Sequence, residues 1–336
     1  MRRLGWANVL LGLGAVLLLV AAVLYVVPSD DYILLPEDAR PLEPLVQVQG
    51  ERADRNGGGI YYVAVDVRKA SLLEKALPGL RDGATLVPAQ DFNPSGENDR
   101  TRRQEDLRDM AQSQKFAAAV ALRQLGYKVQ VRNRGVLIEA VAADFPAAGK
   151  LQAGDVVVAV DGRPVRSVGD LRRLMAPKKP GDEVRLTYKR EGETGDVTVK
   201  TVANPRDPKQ AFLGVVISDD AEVAKLPVDV KINLGNVGGP SAGLAFALDL
   251  VDELGRDVDH GNRVAATGEI ELDGSIRPVG GIKQKTIGAR RSGMDLFLVP
   301  GENAAEARRY ADGLRVIPVD SFQQALRRLA TTAPNA

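Results

Sequence analysis

The sequence predicts an α+β protein in three parts: an N-terminal transmembrane helix, a β-rich domain, and a domain of mixed sheets and helices. Three observations carry that expectation. Leu4 to Val27 holds no charged residue. Tyr127 to Ala203 breaks into short β-branched runs separated by glycine turns. After Asn204-Pro205 and Asp207-Pro208 the apolar pattern alternates between strand and helix periods. A length of 336 residues suits more than one domain, since domains usually hold about 100–200 residues.

Leu4–Val27 is long enough, at about 1.5 Å per residue, to cross a hydrocarbon core of about 30 Å. Its exit, Leu24-Tyr25-Val26-Val27-Pro28-Ser29, is bulky where signal-peptide cleavage needs small residues, which argues for a retained anchor over a cleaved signal. Arg2 and Arg3 precede the span, and Asp30, Asp31, Glu37 and Asp38 follow it. The positive-inside rule then puts residues 1–5 in the cytoplasm, residues 4–27 in the cell membrane as a single pass, and everything from residue 28 outside.

Composition excludes several chemistries. Lys plus Arg number 45 against 44 Asp plus Glu, a net charge of +1, so no nucleic-acid partner is expected. With Cys 0 there is no thiolate nucleophile and no thiolate zinc site. His260 is the single histidine, so HExxH and multi-histidine metal centres are out, and a Ser-His-Asp triad would need that one imidazole. Neither a metal nor a cofactor is expected.

Within residues 28–126, Ile60–Val67 follows Gly57-Gly58-Gly59 and reads as a strand. Val87–Glu97 has the Pro, Asn and Gly content of a loop. Thr101–Leu125 reads as a long helix ended by Gly126. Strands are then expected at Lys128–Arg132, Gly135–Val141, Asp155–Val160, Val184–Lys189 and Asp196–Val202, with a short helix at Val168–Met175. The run Ala148-Gly149-Lys150-Leu151-Gln152-Ala153-Gly154-Asp155, followed by Val156–Gly162, sets glycine turns around a buried strand, and Asp161-Gly162 is a hairpin signal. It resembles the PDZ signature of bacterial proteases, and residues 127–204 are identified as such a domain. The resemblance implies that Gly135, Val136, Leu137 and Ile138 add a peptide strand to a sheet edge and hold its C-terminal carboxylate. The alternative is a PDZ-shaped spacer that binds nothing.

Residues 205–336 continue with a strand at Val228–Leu234, an amphipathic helix at Ser241–Leu254, strands at Arg263–Thr267 and Glu269–Arg277, and a helix at Ile282–Arg291 stopped by Gly293. Leu296–Val299, Ala304–Ala311 and Val316–Val319 follow, and Ser321 with Gln324 forms a capping box for a last helix. Between the first strand and helix lies Gly235-Asn236-Val237-Gly238-Gly239-Pro240-Ser241-Ala242-Gly243. A phosphate loop would need Lys before Ser241, and none is there. Taken alone, Ser241 reads as a helix N-cap.

Two further motifs change that weight: Thr267-Gly268-Glu269, and Gly280-Gly281-Ile282-Lys283-Gln284-Lys285. In this order, with the glycine-rich turn, they resemble the proteolytic domain of Lon-type proteases. The resemblance implies that Ser241 is the nucleophile, Lys285 the general base, and Thr267 the active-site threonine; Lys283 is the tempting wrong lysine. A Ser-Lys dyad needs no imidazole, but it needs a lysine whose pKa is lowered by burial. Backbone N–H groups of the turn, at Gly238 and Gly239 in particular, are the candidates for an oxyanion site. His260, in a polar loop, is expected to have no catalytic role.

The resemblance implies an early piece of the domain as well. Lon has a strand and a Met-containing helix before its catalytic core, and Ile60–Val67 and Asp109–Leu125 look similar, so the PDZ module is expected as an insertion into a discontinuous protease domain. Two departures stand out. Gly238 occupies the position where Lon has Asp, and no Walker motif occurs in the sequence. The layout resembles the membrane-anchored, PDZ-containing Lon-like proteases of bacteria. It implies an ATP-independent serine endopeptidase acting on polypeptide substrates, with a homo-oligomer by analogy to Lon rings. The competing expectation is a PDZ-based peptide-binding scaffold with a latent or inactive protease domain.

Overall fold

The computed structural model describes residues 6–43, 45–48, 57–92, 99–205, 207–232 and 238–332. The start of the expected span, at Leu4, and the Gly235-Asn236-Val237 part of the glycine-rich turn lie outside the described residues.

The chain opens with helix α1 (Trp6–Val26). Its described side chains begin at Leu10, and among the described residues no helix is long and apolar enough to cross a membrane. Strand β1 (Pro28–Pro36) follows, then β2 (Gly59–Tyr62), β3 (Val65–Ser71) and β4 (Thr85–Val87). The single strand expected at Ile60–Val67 is therefore two. It breaks at Val63-Ala64, and its halves join different sheets: β2 enters the central sheet, whereas β3 pairs antiparallel with β1. Helix α2 (Asp99–Gln124) is the long helix foreseen around Thr101–Leu125.

The next stretch contains β5 (Gln130–Val141), β6 (Val156–Val160), helix α3 (Val168–Met175), β7 (Glu183–Arg190), β8 (Glu193–Lys200) and β9 (Val215–Lys225). They form one antiparallel sheet in the order β8-β7-β6-β5-β9. Ser167 caps α3 by accepting the Asp170 N–H at 3.1 Å. Two expectations need correction. Lys128–Arg132 and Gly135–Val141 are one strand, because β9 pairs along its whole length and holds Asn133–Gly135 extended. The sheet also runs past the expected boundary at residue 204, taking its outer strand from Val215–Lys225.

That outer pair has two roles in packing. Val136, Ile138 and Ile217 belong to the small core with Val157, Leu171 and Leu186. At the other end of the same ribbon, Val131, Ala221 and Val223 pack into the large core of the rest of the molecule. The β5–β9 ribbon is thus shared between two cores, and register shifts at Val216/Ile217 and Asp220/Ala221 bend it between them.

The remaining elements are α4 (Gly243–Glu253), β10 (Arg263–Ala266), β11 (Glu269–Ile270), β12 (Ile276–Arg277), α5 (Ile282–Arg291), β13 (Leu296–Pro300), α6 (Ala304–Tyr310), β14 (Arg315–Val319) and α7 (Phe322–Ala330). Glu269–Arg277, in which the sequence places an Asp273-Gly274 turn, is a hairpin of two short strands about that turn. In the central sheet β2-β10-β13-β14 run parallel, and the two-residue strand Arg40–Pro41 adds to the outer side of β2 in the antiparallel sense. Such a sheet must be covered on both faces, and the alternation in β13 shows how: Leu296 and Leu298 enter the core with α2, α4 and α7, while Phe297 and Val299 face α5 and α6. Helix α4 was expected to be amphipathic, but every residue from Gly243 to Glu253 is buried, since α2, the sheet and α7 enclose it. The alanine-rich run Phe116–Leu122 lets α2 approach it closely.

Helix α5 is held against β1 at a glycine. A Cβ on Gly288 would sit 1.9 Å from the Glu37 carbonyl oxygen. Gly288→Ala is therefore expected to cost about 1–3 kcal/mol by overpacking, against the roughly 1 kcal/mol that alanine normally contributes in a helix interior. A urea midpoint unchanged or raised in the variant would show that the helix can step away from β1.

Candidate active site

Ser241 sits in a single 3-10 turn, Pro240–Ala242, that leads into α4. The turn is shaped by its residues. Gly239 has φ +85° and ψ 148°, a conformation that side chains resist. Pro240 then presets the first helical φ. Ser113 of α2 donates to the Pro240 carbonyl at 2.9 Å. A Cβ on Gly243 would meet Ser113 Oγ at 2.7 Å and Ile270 Cγ2 at 2.9 Å, so only glycine lets α2 and the β11–β12 hairpin close on this turn.

The Thr267-Gly268 segment is joined to the same turn. The Ser241 carbonyl accepts the Gly268 N–H at 2.8 Å and the Thr267 hydroxyl at 3.1 Å, and the Gly268 carbonyl accepts the Leu244 N–H at 3.0 Å. Lys285, one turn into α5, places Nζ 3.3 Å from Thr267 Oγ1. The threonine hydroxyl has one hydrogen, directed to Ser241, so it must accept from the amine. Lys285 is 4% exposed, and burial lowers its pKa from the usual lysine range to about 7.

Ser241 and Lys285 line one cleft of about 990 Å³, walled by β3, α2 and the Gly280-Gly281 turn. Lys283 is directed elsewhere. Its Nζ donates to the Ala84 carbonyl at 2.9 Å and to Thr85 Oγ1 at 3.2 Å, and it lies 5.7 Å from the centre of the Tyr310 ring. The structure thus brings Ser241, Thr267 and Lys285 together and gives Lys283 a packing role.

Of the two expected oxyanion donors, Gly239 needs correction. The Gly239 N–H donates to the Asp106 carbonyl at 2.8 Å, so it is not free in this conformation. Gly238 lies against the same residue: a Cβ there would come within 2.7 Å of Asp106 Cβ. Asp106, on α2, lines the cleft, and burial raises its carboxyl pKa. An acidic residue on a polar helix carries no sequence pattern that would single it out.

The expected peptide-binding stretch is also corrected. Val136 pairs with Val157 on one side and Asp219 on the other, so Gly135, Val136, Leu137 and Ile138 sit in an interior strand with no edge to offer. The outer strand beside α3 is β9, where Val216 is exposed. The sequence signal for it was Gly214 before the Val215-Val216-Ile217 run. His260 is in the Asp257–Gly261 loop, where its N–H donates to Asp257 Oδ1 at 2.7 Å. Asp252, Asp257 and Asp259 bring carboxylate oxygens within 4.8 Å of one another there, and each accepts a backbone N–H of that loop.

A buried lysine, a serine at a glycine-shaped turn and a threonine that bonds both the lysine amine and the serine carbonyl thus meet at one cleft beside a separate β-rich domain. Residues 186–331 match the Lon protease (S16) C-terminal proteolytic domain, and residues 124–201 match the PDZ domain. The chain therefore carries a PDZ domain and a Lon-type proteolytic domain. It is 34% identical over 109 residues to Lon protease 2 of Bacillus subtilis, covering 32% of this chain and 20% of that protein. To a Lon protease of Chloroflexus aggregans it is 38% identical over 182 residues, covering 50% of this chain and 21% of that protein. Among solved structures it is similar to the PDZ domain of the SdrC-like protein from Listeria monocytogenes, at 28% identity and a TM-score of 0.25, over 26% of this chain and 93% of that one. The chain spans about a fifth of the length of these two Lon proteases.

Proposed function

We propose that the chain is an ATP-independent, membrane-anchored serine endopeptidase in which Ser241 is the nucleophile and Lys285 the general base. The observation that carries this reading is the buried Lys285 amine, held by a threonine that also holds the backbone of Ser241. With its pKa near 7, a useful fraction of the amine is neutral at physiological pH. Since Thr267 takes one amine hydrogen, the nitrogen lone pair is free to accept the Ser241 proton as Oγ attacks a peptide carbonyl. The resulting ammonium returns that proton to the leaving amine, and the acyl group stays on Ser241. Water activated by the same amine then hydrolyses the ester.

The anchor rests on Leu4–Val27 and on the exposure of α1, where Leu11 is 72% and Leu18 73% exposed; a continuous apolar surface of that kind needs a nonaqueous neighbour or a partner. The arginines before it favour a protease and PDZ domain facing outward from the cytoplasm, on extracytoplasmic or membrane-associated polypeptides. ATP independence is proposed for these 336 residues, in which no Walker motif occurs. A discontinuous protease domain, starting before the PDZ segment, is supported by β2 beside β10 and α2 against α4. The PDZ domain would recognise peptides or regulate the protease, with β9 as the strand to be extended, and a homo-oligomer follows the Lon analogy. The latent reading draws on one feature, the Gly239 N–H engaged by Asp106.

Labelling by a serine-reactive fluorophosphonate tests the proposal. Peptide mapping should place the adduct on Ser241, and Thr267→Val, which removes the amine's acceptor, should slow labelling by about tenfold, in the range of a lost positioning contact. Labelling at another serine, or an unaffected rate in the variant, would remove the support for the dyad.

A further inference from the structure

One set of charged groups crosses from the PDZ sheet to the catalytic turn. Arg277, at the end of the β11–β12 hairpin, has a side chain 17% exposed. It gives Nη2 to Glu139 Oε2 at 2.8 Å and Nη1 to Glu139 Oε1 at 3.3 Å, a two-pronged contact with β5 of the PDZ sheet. The same Nη1 reaches Glu271 Oε1 at 3.1 Å and lies 3.6 Å from Glu269 Oε1. Beyond it, Glu271 Oε2 faces the Asp219 N–H at 3.4 Å on β9, and Asp219 Oδ1 accepts the Val168 N–H at 2.6 Å at the start of α3. The hairpin is therefore fixed to two strands of the PDZ sheet and, through Asp219, linked to the start of α3.

The other end of the hairpin is the catalytic segment. Glu269 directly follows Gly268, whose N–H and carbonyl bond Ser241 and Leu244, and Thr267, which bonds both the Ser241 carbonyl and Lys285. A guanidinium in forked contact with a carboxylate fixes direction as well as distance. Three carboxylates share this one cation, and taking away any partner leaves a charge in a poorly solvated place. Burial raises the pKa of Glu269 and Glu271. Burial would raise Glu139 as well, but its bond to Arg277 more than offsets this and holds it low, so that pair stays ionised.

We propose that Arg277 is a positioning residue for the dyad: by pinning the β11–β12 hairpin to Glu139, it sets Thr267 and so the placement of Lys285 Nζ and Ser241. The PDZ domain is then a working part of the active site. This rests on the Ser241–Lys285 reading, and the test separates the two.

The variant is Glu139→Gln in the full chain, milder than Arg277→Ala because Glu139 is at the domain surface. Expected results are a kcat about tenfold lower on a fluorogenic peptide or unfolded casein, within the range of such couplings, and a KM unchanged. Hydrogen exchange at the Gly268 and Leu244 amides should speed up by a similar factor while the unfolding midpoint holds, and Glu139→Asp should recover part of the loss. If the wild type hydrolyses nothing but those two amides still loosen, the peptidase reading falls and the pinning stands. Unchanged exchange at both amides overturns the pinning. So does a lower kcat accompanied by a lower midpoint and faster exchange throughout.

Discussion

Lys285→Met is expected to remove turnover while leaving a folded chain that is more stable than the wild type at neutral pH. The methionine side chain fills nearly the same volume and needs no solvation, whereas the amine it replaces is 4% exposed. A positioned general base is worth about 10²–10⁴-fold, and here the base also activates the nucleophile, so a loss at the upper end is expected. The pH dependence separates this cause from a packing defect. Lys285 has a folded-state pKa near 7, below the ordinary lysine value of 10.5. Between those two values the unfolded chain holds a proton on this amine that the folded chain does not, so raising the pH favours the folded state. Wild-type stability should gain on the order of 1 kcal/mol per pH unit from this group across that window, and the gain should be missing in Lys285→Met. Activity should rise with pH through about 7 as the amine becomes neutral. Urea midpoints at a series of pH values from 6 to 10 check the first expectation; equal slopes in the two proteins would mean that the amine is already charged and solvated in the folded chain.

The sequence revealed the parts of the site that are held by local chemistry. Helix α3 spans Val168–Met175 and α5 stops ahead of Gly293 as their patterns place them, because caps and left-handed glycines act on their own neighbours. The three motifs that point to Ser241, Thr267 and Lys285 sit in turns whose glycines are demanded by close approach, as at Gly243 and Gly268. What the sequence hid depends on partners far along the chain. Asn133-Arg134-Gly135 reads as a break, yet β9 keeps it extended from some 85 residues away. The same pairing buries the edge expected for peptide binding. Glu139 and Arg277 are 138 positions apart, and each alone is an ordinary surface charge. Its place in the turn makes the Gly239 N–H a candidate oxyanion donor, whereas its partner, Asp106, comes from a helix more than 130 residues earlier.

Ser241→Ala is expected to lower hydrolysis by about 10³-fold or more, and the double variant Ser241→Ala/Lys285→Met by no more than the single ones. A nucleophile and the base that activates it act as one unit, so the second substitution removes what the first has already made useless. The residual rate should then reflect binding and carbonyl polarisation alone, which do not depend on either side chain. The geometry makes this a sharp test. Thr267 holds the Lys285 amine at 3.3 Å and the Ser241 carbonyl at 3.1 Å, so the two side chains could in principle support catalysis separately, one by chemistry and the other by holding the turn. If Lys285 acted only by packing, its loss would multiply with that of Ser241, and the double variant would fall well below either one. If Ser241 had no chemical part, alanine there would leave both hydrolysis and stability nearly intact, because the N-cap of α4 is Ala242 and no side chain caps either turn, contrary to the cap that the sequence alone suggests. Measuring kcat/KM for all four chains on one substrate, with unfolding midpoints alongside, distinguishes the three outcomes. Only equal losses in the two single variants and the double variant fit a serine whose proton is taken by the buried lysine.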